Sequence, residues 1–243
     1  MKLWYISIGP DIDRTPDHDR YRFELNTRFL SNHLSRAIRK RRFTTDGTFN
    51  QIHVALIEEN PELPKVVGFS ALRVHVLYDP ADYEAIRGSK DCSYYLRLFE
   101  QGFRAAAASK LVPLEILLEE LERFRQNGCK NEWRHKRKLF RDQDVSVTLD
   151  CYFTTNEFRL VARIERISTK EVLCEGVVVE TVPDEIFFYR LFKDIFIRGD
   201  RIIVTDHFDS ERYLIDLDQA LSGRLVVEDR TILIDAEIRE LLG

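Results

Sequence analysis

The sequence predicts an α+β fold, a mainly antiparallel sheet with helices packed on one face. Three observations carry this. Residues 144–182 alternate apolar and polar side chains with a period of two, interrupted by two turn-rich segments, as in strands joined by tight turns. From Tyr95 to Ala106 and from Pro113 to Phe124 the apolar residues recur at helical spacing instead. Of 243 residues, 44% are hydrophobic and 32% charged, which supports a buried core beneath a charged exterior. The expectation is one domain over 1–243, with a subdivision near 130–142.

Taken in order, Leu3–Ile8 reads as a short strand ended by Gly9-Pro10. A polar loop follows over 11–19. From Asn26, the residues Phe29, Leu30, His33, Leu34, Ala37 and Ile38 mark a helix, with Asn26 or Thr27 as its cap. That helix runs into the basic stretch 36–42, favoured at a helix C-terminus by the dipole. Ile52, Val54 and Leu56 define a strand, broken at 60–64, and Val66–Tyr78 reads as the next continuous strand. His53 and His75 approach each other if these two strands pair.

Two helices follow. The first carries Tyr95, Leu98, Phe99, Gly102, Phe103 and Ala106, with Asp91 or Ser93 as cap; the second starts at Pro113 and stops at Asn127-Gly128. The basic segment 130–142 reads as a linker or surface stretch. Within 144–182, the last strand, Val172–Val182, is apolar on both faces and is therefore expected at the centre of its sheet. Leu191, Phe192, Ile195 and Phe196 suit a short helix or a strand. Strands at Ile202–Thr205 and Tyr213–Ile215, a helix at Gln219–Leu221 capped by Asp216 or Asp218, a hairpin of 225–227 with 232–234, and a last helix capped by Asp235 complete the reading.

Charge and motifs exclude more than they assign. The net charge of −4 gives no general reason to bind nucleic acid. None of the four cysteines stands in CxxC spacing, so no zinc site is expected. Cys151 and Cys174 read as buried strand residues, with a bridge between them left open. There is no phosphate loop, GxGxxG, GxSxG or HExxH, so no cofactor, metal or catalytic residue is assigned. Met1 leads directly into a strand, and no apolar run approaches the roughly 20 residues that span a bilayer; the expectation is a cytoplasmic protein with no membrane contact. Asp206, His207 and Asp209 after a strand form either a side-chain-stabilised turn or part of a hydrolytic site.

The run Tyr78–Glu84, the segment Tyr94–Phe103 and the three-strand stretch ending in Val182-Pro183-Asp184-Glu185-Ile186 resemble bacterial immunity proteins of polymorphic or contact-dependent toxin systems. The likeness is one of element order and aromatic content over the middle and later parts of the chain. It implies a cytosolic, non-catalytic protein that binds one cognate toxin domain, and it transfers no binding residue. Acidic surfaces speed association with basic partners. Asp11, Asp13, Asp17, Asp19, Glu115, Glu119 and Glu122 are therefore the expected contacts for a protein partner such as a basic toxin domain. The competing reading is a hydrolytic enzyme using 206–209, or a nucleic-acid-associated protein using the basic clusters 36–42 and 134–138.

Overall fold

A computed structural model describes residues 1–89 and 91–230. The fold is α+β, with sheets that are mostly antiparallel. The chain divides into two compact units, Met1–Asn131 with Thr154–Asn156, and Glu132–Phe153 with Glu157 onward. The expected hairpin at 225–234 and the helix capped by Asp235 extend beyond the described residues.

The first unit holds β1 (Tyr5–Pro10), α1 (Asp17–Arg41), β2 (Gln51–Ile57), β3 (Lys65–Val67), β4 (Ala71–Leu77), α2 (Pro80–Ile86), α3 (Ser93–Ala107) and α4 (Leu114–Gln126). Its sheet runs β1-β2-β4-β3, and its centre is parallel: β1 with β2, and β2 with β4. The long crossover through α1 permits the first of these pairings, and the connection over 58–70, which carries β3, the second.

Helix α1 begins at Asp17, nine residues before the expected start at Asn26. Pro16 stands at its threshold and Asp17 and Asp19 occupy its first turn, where the dipole favours carboxylates. The charged sequence of those turns conceals the helical period. Ser35 on α1 accepts a hydrogen bond from the Ile6 N–H (2.9 Å) and donates one to the Ile6 carbonyl (3.2 Å). The outer edge of β1 is thereby satisfied by a side chain.

Val66–Tyr78 is not one strand. The chain folds back at Gly68-Phe69-Ser70, and β3 pairs antiparallel with β4. Gly68 has φ +56° there, a conformation that glycine adopts without steric cost. Ile6, Ile8, Ile52, Val54, Leu72 and Val74 share the buried face of the sheet. Helix α3 packs on that face so closely that a Cβ on Gly102 would lie 2.5 Å from Val54 Cγ2. Helices α3 and α4 are amphipathic as expected, and Asp91 accepts from the Ser93 N–H at 2.9 Å. A disulfide joins Cys92, at the start of α3, to Cys129, just after α4. Cys151 and Cys174 are free and buried, on strands that a third separates.

The second unit holds β5 (Asn131–Phe140), β6 (Val145–Phe153), β7 (Phe158–Arg166), β8 (Val172–Thr181), α5 (Glu185–Phe188), β9 (Asp194–Arg198), β10 (Arg201–Thr205), β11 (Glu211–Asp216), α6 (Leu217–Leu221) and β12 (Val227–Asp229). Two sheets run β5-β6-β7-β8 and β12-β11-β10-β9. The basic segment 130–142 is therefore the edge strand β5 rather than a linker. Trp133 packs on Phe158 and His135 on Phe192, and the cations protect the open edge from further pairing.

Strand β8, expected at the centre, lies at the opposite edge. Its double-sided apolar character comes from two bulges: Leu160 pairs with Val179 but Val161 with Val177, and Ile164 pairs with Cys174 but Glu165 with Val172. Each extra residue reverses the alternation, so successive valines reach the same face. Leu225 covers Gly176 on this strand, where an added Cβ would meet Leu225 Cδ2 at 2.7 Å. Phe153, Phe158, Phe188 and Phe192 form the aromatic core, with rings in both stacked and edge-on contact.

Candidate functional site

The side chains expected to meet a partner are largely engaged within the fold. Asp11 is 1% exposed and therefore turned away from any docking surface. Its Oδ1 accepts from the Asp13 N–H (2.9 Å), and its Oδ2 faces His75 Nε2 (3.1 Å) and Arg73 Nη1 (3.5 Å). Arg73 also reaches Asp13 Oδ2 at 2.6 Å and holds that carboxyl below its ordinary range by hydrogen bond and charge. His75 Nδ1 accepts from the Glu62 N–H at 3.0 Å, so its remaining proton lies on Nε2, directed at Asp11.

Asp17 pairs with Arg20 (3.0 Å) and Asp19 lies 3.9 Å from Arg22. On α4, Glu119 and Glu122 pair with Arg123 and Arg125 at 3.2 and 2.8 Å, and Glu115 is exposed. Four of these five carboxylates thus have an arginine neighbour, which weakens their field toward a basic partner.

Strands β2 and β4 do pair, and their register, His53 with Arg73 and Ala55 with His75, sets both histidines on one sheet face. Ser7 Oγ is 2.9 Å from His53 Nδ1 and accepts from Gln51 Nε2 at 3.1 Å. The serine hydroxyl and the imidazole thus share a hydrogen bond, the contact made by a nucleophile and its base. Burial pushes His53 down to about 4, and a base that weak gives little driving force for proton abstraction near neutral pH. The cluster acts as a polar brace: through Asp11 and Asp13 it fastens the β1–α1 loop to Arg73 and His75 of β4. A cleft of about 450 Å³ opens beside it at the carboxyl ends of β2 and β4, lined in part by Arg14, Leu56, Glu58 and Tyr78. Ligands of parallel sheets bind at such ends, but Arg14 is already committed to the Glu59 carbonyl at 2.9 Å.

In the second unit, Asp206 Oδ1 accepts from the N–H groups of Phe208 (2.8 Å) and Ser210 (2.9 Å), and Asp209 accepts from Lys193 Nζ at 2.7 Å. Residues 206–210 are a side-chain-stabilised turn, not a set of converging catalytic groups. Among the described residues, no group of three or more His, Cys, Asp or Glu side chains is arranged to hold a metal ion. Among them too, no helix is long and apolar enough to cross a membrane.

That turn displays what sequence reasoning missed. The His207 N–H donates to the Arg190 carbonyl at 3.0 Å, stitching the turn to the segment after α5. Arg190 lies with its Cζ 4.9 Å from the Tyr189 ring centroid and 5.8 Å from that of Phe208. Phe208 is 71% exposed, and Ile186, Phe187 and Tyr189, which precede Arg190 in sequence, are exposed too. The sequence assigns this run no role; in the fold Phe188 is buried while Ile186, Phe187 and Tyr189 are exposed.

No family model, no curated protein and no solved structure matches the chain.

His33 in the first unit carries a stability prediction. Its ring centre lies 4.4 Å from that of Phe124, and its buried Nε2 has no hydrogen-bond partner among the described residues. Burial, then Arg36, Lys40 and Arg123, push it from 6.5 down to about 4. The unfolded chain thus binds the proton first. Stability is unaffected above 6.5, falls as the pH drops from 6.5 towards 4, and is flat below. Discounted for partial exposure, the loss is about 2 kcal/mol. Urea unfolding of His33→Leu across this window is expected to show a slope shallower by that amount, and no loss of stability near neutrality.

Proposed function

We propose that the chain is a non-catalytic protein-binding module and, in the finer form of that reading, an immunity protein that neutralises a cognate bacterial toxin by direct contact. One observation carries it: beside a hydrogen-bonded turn in the second unit, the Arg190 guanidinium lies 4.9 and 5.8 Å from the centres of two exposed aromatic rings, Tyr189 and Phe208. Aromatic residues and arginine are the types that dominate binding energy once a partner covers them. Contiguous exposed apolar surface rimmed by polar groups marks an interaction site. The turn's hydrogen bonds hold the backbone that carries Phe208 and Arg190, which lowers the ordering cost of association.

The resemblance to immunity proteins supports the finer reading. Its test is coexpression with the product of the gene adjacent to its own. The intact chain is expected to restore growth, and Phe208→Asp, at an exposed position, to abolish the rescue. Equal growth with and without the chain removes the immunity reading. Rescue that Phe208→Asp leaves intact removes this surface as its basis.

A further inference from the structure

We propose that this surface takes an acidic protein segment, one presenting carboxylates beside apolar side chains. The proposal rests on the binding-module reading and assigns its partner a charge. Arg190 is exposed and has no carboxylate in ion-pair distance among the described residues; only the two rings and the Tyr189 hydroxyl engage it. The cationic character extends along the same segment. His135 on β5 lies at the Lys193 carbonyl (3.2 Å), and the next residue, Asp194, is shared by Lys136 (3.1 Å) and Lys138 (3.0 Å). In their ion pairs Lys193 meets Asp209 and Lys136 and Lys138 share Asp194, while Arg190 meets no carboxylate among the described residues and the buried Asp206 of the turn is held by backbone N–H groups. This local surplus stands out in a chain whose net charge is −4.

The arrangement also distinguishes an acidic protein from a nucleic acid. Single strands bind by stacking bases on open aromatic faces. Here Arg190 lies over Tyr189 and Phe208, and Lys138 Nζ sits 4.1 Å over the centre of the exposed Phe196 ring. One of the protein's own cations thus lies against each of these rings, and the Arg190 guanidinium, engaged through its Nε with the Tyr189 hydroxyl, keeps its terminal N–H groups free of any carboxylate among the described residues. An arginine fork meets a carboxylate with two parallel hydrogen bonds, and the neighbouring Ile186, Phe187 and Phe208 suit apolar flanks. A second copy of the chain fits poorly, because a two-fold contact centred here would set Arg190 against Arg190.

The test is fluorescence anisotropy with three labelled probes: a peptide of alternating Glu and Phe, one of alternating Lys and Phe, and an oligothymidylate strand. The acidic peptide is expected to bind most tightly, with affinity falling as salt rises. Arg190→Gln, which removes an exposed charge and should leave the fold intact by circular dichroism, is expected to weaken it roughly tenfold. Tighter binding of the oligothymidylate, equal binding of the two peptides, no binding of the acidic peptide, or indifference to Arg190→Gln overturns the proposal. So does self-association of the wild-type chain that Phe208→Asp abolishes. The growth assay separates the two levels. Rescue lost with Phe208→Asp but kept with Arg190→Gln leaves the binding module and removes the acidic partner; rescue indifferent to both removes the surface itself.

Discussion

Arg73→Met is expected to destabilise the first unit by about 3–5 kcal/mol, the range found when one member of a buried ion pair is removed and its partner stays charged. Asp11 is the partner that would be stranded. It is 1% exposed, and its backbone N–H is already given to the Leu56 carbonyl at 2.9 Å. Without Arg73, His75 Nε2 alone would face the Asp11 Oδ2 oxygen. Methionine retains much of the buried stem, so the loss reports charge more than packing. Asp11→Asn, which keeps the acceptor oxygen for the Asp13 N–H, should cost less. The double variant should lose less than the sum of the two single losses, because the second change removes the uncompensated charge that the first created. Urea unfolding of all four proteins measures this coupling. Strict additivity would show that Asp11 and Arg73 do not act as a unit, and that the polar brace on this sheet face is not what fastens the β1–α1 loop.

Asp11 also shows what a sequence discloses and what it withholds. Its neighbours Asp13, Asp17 and Asp19 make the stretch look like a solvated loop, and nothing local marks one carboxylate of the four as buried. Burial depends on Arg73 and His75, more than sixty residues away, and on the parallel register of β2 with β4. The same register brings His53 and His75 to one face, which their separate strand patterns only allowed. Where local pattern and tertiary environment agree, the elements were legible. Strand β7 alternates cleanly because it buries one face, β6 keeps the same sequence alternation although Ser146 and Thr148 are buried too, and the stripe Tyr95–Ala106 is the buried stripe of α3. Pattern failed where a second constraint overwrote it: bulges made β8 look central, and charge hid the first turns of α1.

Replacing both Cys92 and Cys129 with alanine is expected to lower stability by about 4 kcal/mol. The bridge spans 37 residues, and loop-closure entropy for a ring of that length gives about this value. Within the loop lie both α3 and α4, whose apolar faces contribute Phe99, Phe103 and Phe124 to the core, so the loss should appear as cooperative unfolding of the first unit rather than fraying. A second effect adds to it. Cys129 adopts φ +60°, a left-handed conformation that disfavours side chains, and its N–H donates to the Phe124 carbonyl at 3.0 Å to close the end of α4. Cys92→Ala with Cys129→Gly should therefore recover part of the loss, since glycine takes that conformation freely. Thiol titration checks the bridge directly. Under denaturant the unreduced protein should expose two thiols, Cys151 and Cys174, and the reduced protein four. If the unreduced protein titrates four thiols, or if a reductant leaves its stability unchanged, the bridge contributes nothing.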